Sequence, residues 1–127
     1  PKVAVLAAIE KVNPKQQATV DAAELKRRNR EGIITGCIVD GPLSYDVAMS
    51  AEAAKAKHVE SLVSGDPDLL LYPNIDVGNI CGKALVYTGK AKSAAIMIGA
   101  KVPVINTSRS MSVEGKCRAI ALAAACG

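Results

Sequence analysis

The segment 107–112, which reads Thr-Ser-Arg-Ser-Met-Ser, contains side chains that could bind an anion. Ser108 and Ser110 offer hydroxyl donors, and Arg109 offers a planar guanidinium whose geometry matches phosphate or carboxylate. Ser112 is also a good N-cap, with Glu114 in the first helical turn, where negative charge is favourable. The segment therefore has two interpretations: an anion site, or an ordinary capped helix start beside a surface arginine.

Two other polar segments follow apolar runs. Residues 40–46 read Asp-Gly-Pro-Leu-Ser-Tyr-Asp, and residues 74–79 read Asn-Ile-Asp-Val-Gly-Asn. The second places the Asp76 carboxylate and the Asn79 amide at a helix start, with Gly78 allowing a tight bend; a simple capped turn would use the same residues. Because ligands of open α/β sheets bind at the carboxyl ends of the strands, we expect all three segments to face one crevice.

The remaining candidates favour structural roles. His58, the only histidine, is predicted to be a solvated helix residue, and Cys81 a small buried residue because no histidine base is near it in sequence. The basic run 26–30 is predicted to be a solvated helix face. The four cysteines form no C-x-x-C pair and stand beside no histidine cluster. We therefore expect no metal site and no disulfide framework, and reduced thiols in a cytoplasmic protein.

Composition narrows the class of protein. Half of the 127 residues are hydrophobic but only 2% are aromatic, so the core must be aliphatic, as in a buried parallel sheet covered by Ala-rich helices. The length predicts a single domain over residues 1–127. A net charge of +4 suits a phosphorylated small molecule. With no Phe or Trp there is no stacking platform for nucleic acid, and no apolar stretch is long enough to span a membrane.

The pattern of the chain alternates strands with helices. Strands are predicted at 3–9, 37–39, 69–72, 94–98 and 102–105. A helix capped by Asp21, with Glu24 reaching back to the cap, is predicted to end near Glu31. Further helices are predicted at 47–59, with an interruption near Ser50, at 77–90, and from Ser112 to about Cys126. This alternation predicts an α/β fold with a mainly parallel sheet and helices on both faces.

The chain resembles the phosphate acetyl/butyryltransferase family, in its C-terminal part and closest to the butyryl branch. The matching segments are Val20-Asp21-Ala22-Ala23, Gly36 to Leu43 with Asp46, Gly65-Asp66 with Asp68, Asp76 with Gly78-Asn79, and Thr107-Ser108-Arg109. The resemblance implies part of an isocitrate/isopropylmalate-dehydrogenase-like fold, whose active site lies between two α/β domains. It also implies reversible acyl transfer between CoA and phosphate, with CoA as substrate and no permanently bound cofactor, in a cytoplasmic homo-oligomer working beside an acyl (butyrate or acetate) kinase.

The same resemblance implies roles for individual residues. Ser108 and Arg109 would contact the reacting groups and the phosphate or CoA, and Glu114 or Asp76 would assist proton transfer. The other residues expected to contact substrate are Asp40, Gly41, Pro42, Asp46, Asp76, Gly78, Asn79, Thr107 and Ser112. The chain departs from the family at Asn74, at Ser110-Met111 and at Gly115, where the acetyl branch carries a catalytic aspartate.

Two other classes of protein stay open. At under half the usual family length, the chain is also compatible with a truncated or degenerate non-catalytic fragment that folds and self-associates. A nucleotide-binding dehydrogenase-type domain is the third reading, but no G-x-G-x-x-G follows the first strand.

Overall fold

A computed structural model describes residues 1–126 of the chain. Contacts between α-carbons divide it into two compact units, the first comprising Pro1–Asn79 and the second beginning at Ile80. The single domain over the whole chain stays a prediction.

The first unit is built on a small parallel sheet. Its elements are β1 (Lys2–Leu6), α1 (Gln17–Arg30), β2 (Ile38–Leu43), α2 (Tyr45–Met49), α3 (Ala51–Ala56), β3 (Leu69–Leu71) and the start of α4 (Ile75–Tyr87). The strand order is β2-β1-β3, and both pairs are parallel. The predicted α/β class with a parallel sheet is confirmed.

Successive side chains of β1 point to opposite faces of the sheet, so this strand contributes to a buried cluster on each face. Ala4 and Leu6 join a buried cluster with Leu43 and Val47, which come from β2 and α2. Val5 joins a second cluster on the other face, made with Ala22 and Val39, which come from α1 and β2. The buried Leu and Val side chains stabilise the fold by roughly 1.5–3 kcal/mol each. Helices therefore cover both faces, as predicted.

Gly41 allows β2 to approach β1 closely. A Cβ atom added at Gly41 would lie 2.7 Å from the carbonyl oxygen of Val5 and 2.8 Å from its Cβ, and 3.3 Å from the Cβ of Ala22. Contacts that short require the backbone to move. The glycine of the 40–46 segment is thus required for packing, and the Gly41–Pro42 peptide bond that follows it is cis.

Asn29 of α1 closes the open edge of β2. Its amide nitrogen donates to the carbonyl oxygens of Ile34 and Cys37, each at 2.9 Å, and its Oδ1 accepts from the backbone N–H of Val39 at 3.0 Å. The Val39 N–H and the carbonyl of Cys37, just before β2, face the edge that pairs with no strand among residues 1–126. One side chain therefore takes the place of a neighbouring strand there.

Two predicted boundaries in this unit differ clearly from the structure. Strand β2 continues through residues 40–43, which were expected to end it. Helix α1 begins at Gln17 rather than at Asp21, because the chain before it is already ordered by Thr19, whose hydroxyl bonds the backbone of Asn13 and Gln16. The interruption near Ser50 is confirmed, since Ser50 ends α2 and its side chain caps α3.

The second unit contains the rest of α4 and helix α5 (Val113–Cys126). The strands predicted at 94–98 and 102–105 are wrong: residues 94–105 contain one isolated antiparallel bridge, between Met97 and Val104. Between residues 80 and 126 the buried residues are Gly115, Ala119 and Ala123. This part of the described chain therefore has almost no core of its own.

Within residues 1–126, no helix combines the length and the apolar character needed to cross a membrane.

Candidate functional site

The carboxylate of Asp40, in strand β2, is bound by hydrogen-bond donors of the same chain. Its carboxylate is 6% exposed, forms an ion pair with Lys26 and accepts the backbone N–H of Gly41 at 2.8 Å. Burial alone raises the pKa of Asp40, but hydrogen bonds from Lys26 and Ser61 outweigh it, so the pKa lies below its ordinary value. The carboxylate is therefore ionised and already occupied, and we assign Asp40 a positioning role in the segment.

Four polar side chains meet just beyond the carboxyl ends of β1 and β2. We call Glu10, Ser44, Asp46 and Lys57 the carboxylate–lysine cluster. The ammonium group of Lys57 lies 3.1 Å from Glu10 Oε1, 2.8 Å from Asp46 Oδ2 and 3.2 Å from Ser44 Oγ. Ser44 Oγ also contacts the carboxylates of Glu10 and Asp46. The single hydroxyl proton serves one carboxylate at a time, while Lys57 balances part of their charge.

The charges in this cluster shift one another's pKa values. Hydrogen bonds from Lys57 and then Ser44 lower the pKa of Asp46 to about 2. The hydrogen bond from Ser44 is the main cause that lowers the pKa of Glu10, and pairing with Asp46 and then Glu10 raises the pKa of Lys57. All three groups are therefore charged at neutral pH, which leaves one net negative charge on the cluster.

An open groove of about 580 Å³ runs along the first half of β2. Lys26 and Asp40 form part of its wall, and Arg30, Lys55 and Glu60 also line it. The groove lies beside the edge strand, whereas the carboxylate–lysine cluster lies beyond the strand ends. The two features are therefore separate parts of the first unit.

The predicted segment 74–79 forms the start of α4 after β3. The Asn74 side chain accepts the backbone N–H of Val77 at 3.0 Å, so it caps the helix. Asp76 and Asn79 are exposed in the first turns, and a Cβ atom added at Gly78 would lie 3.6 Å from Tyr72 Cβ and Cδ2, an ordinary van der Waals distance. The exposed carboxylate and amide are available to a ligand at this helix start.

In the second unit, residues 108–111 form a turn in which the backbone N–H of Met111 donates to the carbonyl oxygen of Ser108 at 3.0 Å. The hydroxyl groups of Ser108 and Ser110 are 3.0 Å apart, and the Tyr87 hydroxyl donates to Ser110 at 3.1 Å. Arg109 is exposed and makes no hydrogen bond or ion pair with any other residue of the described chain, residues 1–126. The turn thus presents an unpaired guanidinium beside two hydroxyl groups, and Thr107 lies directly before it.

The helix after this turn begins as predicted. Ser112 Oγ accepts the backbone N–H of Gly115 at 3.1 Å, so Ser112 caps α5. Glu114 is 75% exposed and pairs with Arg118 at 2.6 Å, which holds its carboxylate away from other partners. Gly115 is buried under Met111, and a Cβ there would lie 2.7 Å from Met111 Cγ. A side chain at the position where the acetyl branch carries an aspartate would therefore require the Met111 side chain to move.

The family model for phosphate acetyl/butaryl transferase matches residues 1–124. The chain belongs to this family. It is 53% identical to the phosphate acetyltransferase of Thermotoga maritima, over 98% of this chain and 42% of that protein. It is 52% identical to a probable phosphate butyryltransferase of Bacillus subtilis, over 97% of this chain and 41% of that protein.

A solved structure agrees with the family membership. The branched-chain phosphotransacylase of Enterococcus faecalis superimposes with a TM-score of 0.88 and 41% identity, over 98% of this chain and 44% of that one. The chain thus spans about two-fifths of the relatives that it matches, corresponding to their C-terminal part. The resemblance drawn from the sequence is confirmed, as is the fold class.

The site residues predicted from the sequence lie in both units. Asp40, Gly41, Pro42 and Asp46 lie together at the end of β2, and Asp76, Gly78 and Asn79 lie at the start of α4. In the second unit, Ser108 and Arg109 lie in the turn 108–111 with Thr107 directly before it, Ser112 caps α5, and Glu114 lies in its first turn. Their roles toward a substrate stay predictions. Cys81 is partly exposed rather than buried.

Sequence reasoning missed Glu10 and Lys57. Glu10 comes soon after the first strand, so the rule that strand ends carry the functional residues could have found it. Lys57 gave no such signal. It lies among other charged residues at the end of α3, and its partner Glu10 is 47 positions away in the sequence. Among residues 1–126, no group of three or more His, Cys, Asp or Glu side chains is placed to hold a metal ion.

The cluster predicts an unusual acid titration. Because Lys57 and Ser44 stabilise the charged carboxylate, Asp46 should titrate near pH 2 rather than at its ordinary 3.8. Its contribution to stability is therefore complete above pH 3.8 and is lost as the pH falls through about 2. Replacement Lys57→Met should move the Asp46 midpoint up toward 3.8. Carbon-detected NMR of the carboxylate measures the midpoint in both proteins.

The matched control for this titration is Lys55→Met, which removes an equal charge from α3 without touching Asp46. It should leave the midpoint of Asp46 unchanged. An unmodified protein in which Asp46 already titrates at 3.8 would show that the cluster does not form in solution.

Proposed function

We propose that this chain supplies the C-terminal part of a phosphate acyltransferase site, which transfers a short-chain acyl group reversibly between CoA and inorganic phosphate. The observation that carries the proposal is the unpaired Arg109 guanidinium, presented with Ser108 in a chain that belongs to the phosphate acetyl/butaryl transferase family over residues 1–124. CoA and phosphate are the substrates, and no permanently bound cofactor is needed. The reaction would take place in the cytoplasm, in a homo-oligomer, beside an acyl kinase.

The chemistry needs an anion site and hydrogen-bond donors. When acyl phosphate is consumed, the CoA sulfur attacks the carbonyl carbon, a C–S bond forms, the C–O bond to phosphate breaks, and inorganic phosphate leaves. The thiol proton must go to a base, and the carbonyl oxygen gains negative charge that donors stabilise. In the reverse direction a phosphate oxygen attacks the thioester carbon and expels the CoA thiolate.

The residues fit these tasks as follows. Arg109 neutralises phosphate with its planar donors, and the Ser108 hydroxyl donates to a reacting oxygen. Asp76, exposed at the start of α4, is the better candidate for the proton acceptor, because Glu114 is already paired with Arg118. The exposed Asn79 amide contributes a polar contact to substrate.

The alternative is a non-catalytic fragment that folds and self-associates. The coverage of only 41–42% of the first relatives and the nearly coreless second unit favour it for the chain on its own. The two candidate functions therefore differ in whether further polypeptide is present.

The experiment joins this chain behind the N-terminal portion of the Thermotoga relative that the match does not cover. We call the product the completed chain. It should release phosphate from acetyl or butyryl phosphate only when CoA is present, and calorimetry should detect CoA binding but no NAD binding. A folded completed chain without CoA-dependent release would contradict the proposal, and release by the 127-residue chain alone would exclude the fragment alternative.

A further inference from the structure

Tyr87, the last residue of α4, has no role in the proposed function but contacts the turn that presents Arg109. Its hydroxyl group donates a hydrogen bond to Ser110 Oγ at 3.1 Å, across 23 positions of the sequence. Ser110 Oγ in turn lies 3.0 Å from Ser108 Oγ. We call Tyr87, Ser110 and Ser108 the hydroxyl network. Its three hydroxyl groups are connected in series, and the series ends at the residue beside Arg109.

The end of α4 fixes the backbone of Tyr87. The Lys90 ammonium group donates to the carbonyl oxygen of Tyr87 at 2.8 Å, and Lys90 has a left-handed backbone conformation with a φ of 56°. A Cβ atom added at Gly89 would lie 2.7 Å from the carbonyl oxygen of Leu85, so the turn that ends the helix requires a glycine there. The Tyr87 ring therefore projects from a defined helix end.

The segment between α4 and α5 folds back on itself and brings Tyr87 close to Ser110. The backbone N–H of Met97 donates to the carbonyl oxygen of Val104 at 2.8 Å, in the antiparallel bridge described above. All of these residues belong to the second unit. The contact between Tyr87 and Ser110 is thus a tertiary contact that joins the end of α4 to the turn 108–111.

The number of protons limits how the hydroxyl network can be arranged, because each hydroxyl group has only one to donate. Tyr87 donates its proton to Ser110. The backbone N–H of Ser110 donates to Ser108 Oγ at 3.4 Å. If the Ser110 hydroxyl group also donates to Ser108 Oγ, both lone pairs of Ser108 are used and its own proton is free. If Ser108 instead donates to Ser110, no Ser108 proton remains for a substrate.

A negatively charged substrate oxygen beside Ser108 selects the first arrangement, because it attracts the Ser108 proton. The hydrogen bonds then run in one direction, from Tyr87 to Ser110, from Ser110 to Ser108 and from Ser108 to the oxygen. Hydrogen bonds aligned in this way polarise and strengthen one another. The gain is largest when charge develops on the oxygen, which is the condition for lowering a reaction barrier.

We propose that Tyr87 is a positioning residue for the acyl-transfer reaction. Acting through Ser110, it orients the Ser108 hydroxyl group so that the Ser108 proton points at the reacting oxygen. Every hydroxyl group keeps its own proton in this role, and no bond of the network is broken or formed. The inference rests on the proposed function. Ser110 is one of the positions at which the chain departs from the family pattern, so the contact is not part of that pattern.

Replacement Tyr87→Phe in the completed chain keeps the ring and removes only the hydroxyl group. We expect kcat to fall about 5- to 10-fold, an effect of the size that the loss of one hydrogen bond produces. The KM values for phosphate and CoA should stay unchanged, because Arg109 still binds the anion. A merely structural role would displace the turn together with Arg109 and would raise the KM for phosphate. Steady-state assays separate the two effects.

Further variants isolate the hydroxyl network. Ser110→Ala should lower kcat as much as Tyr87→Phe does, whereas Ser110→Thr, which keeps a hydroxyl group, should recover most of the rate. In a Ser108→Ala background, Tyr87→Phe should cause no additional loss, because the two residues act in series. The matched control is Thr88→Val. It removes a neighbouring exposed hydroxyl group that makes no hydrogen bond among residues 1–126, and it should leave kcat unchanged.

A second measurement tests the contact without turnover. The chain has three tyrosines, and carbon-13 at the ζ position of tyrosine reports hydrogen bonding of the phenol group by NMR. Tyr87→Phe assigns the Tyr87 signal by its disappearance. In the 127-residue chain, Ser110→Ala should move this signal, whereas Thr88→Val should leave it in place.

Three results would overturn this inference while leaving the proposed function intact. They are a normal kcat of Tyr87→Phe in an active completed chain, a full additional loss in the Ser108→Ala background, and a Tyr87 signal that does not respond to Ser110→Ala. A folded completed chain with no CoA-dependent turnover contradicts the proposed function itself, and the positioning role of Tyr87 is then excluded with it.

Discussion

Replacement of Arg109 by alanine should lower kcat of the completed chain by about a thousandfold or more, the loss typical of removing one preorganised donor or charge from a transition state. The guanidinium has no partner among residues 1–126, so its donors are free for the substrate phosphate. The turn that presents it offers only the hydroxyl groups of Ser108 and Ser110 as substitutes. A hydroxyl group can donate one hydrogen bond but cannot neutralise charge.

The matched control is Arg30→Ala, which deletes an equally exposed arginine from α1 in the first unit. Its kcat should stay within about twofold of the unmodified enzyme, because an isolated surface charge contributes little. Arg109→Lys should recover part of the rate, since it restores the charge without the planar pair of donors. Steady-state assays with varied phosphate and CoA give kcat and KM for each protein. Near-normal turnover in Arg109→Ala would remove this residue from the proposed site.

Replacement Asn29→Asp should destabilise the first unit by about 2–4 kcal/mol, although the two side chains are nearly the same size. Asn29 accepts one hydrogen bond from Val39 and donates two, to Ile34 and Cys37. An aspartate carboxylate can only accept, so two partly buried carbonyl oxygens would lose their donor and face a negative charge. Urea unfolding followed by circular dichroism measures the loss of stability.

The same substitution at Asn13 provides the control. The side chain of Asn13 accepts a hydrogen bond from the backbone of Lys15, a task that a carboxylate performs equally well. Asn13→Asp should therefore change the unfolding free energy by less than about 0.5 kcal/mol. Hydrogen exchange at the Val39 amide gives a local readout, and equal stability of the two variants would contradict the role given to Asn29.

The sequence predicted the first unit well because its signals are local and agree with one another. The apolar runs of β1 and β3 and the Ser50 interruption each follow from a few neighbouring residues. Asp21 shows the limit of such signals: its pairing with Glu24 predicted a capping box, but Glu24 pairs with Arg27 and Arg28, and Asp21 accepts from Gln17. The capping box and these side-chain pairs use the same groups, and the local pattern could not rank them.

The second unit was predicted less well for a different reason. The apolar runs at 94–98 and 102–105 have strand composition, but strand preference largely measures packing against neighbours. Within the described residues Ile98 and Val102 meet no such neighbours. In the candidate site, too, local features could be predicted from neighbouring residues, as at the turn after Ser108 and the cap at Ser112. Lys57 could not, because it joins the carboxylate–lysine cluster through contacts that are distant in sequence.

The strand order β2-β1-β3 affects how the protein forms during synthesis. Strand β1 leaves the ribosome before both of its partners, yet it occupies the centre of the sheet. It pairs first with residues beginning at Ile38, and its other edge stays open until Leu71 has emerged. Parallel pairing across such separations closes large loops, which is typical of slowly folding topologies and leaves the β1 edge unpaired while the chain is being made.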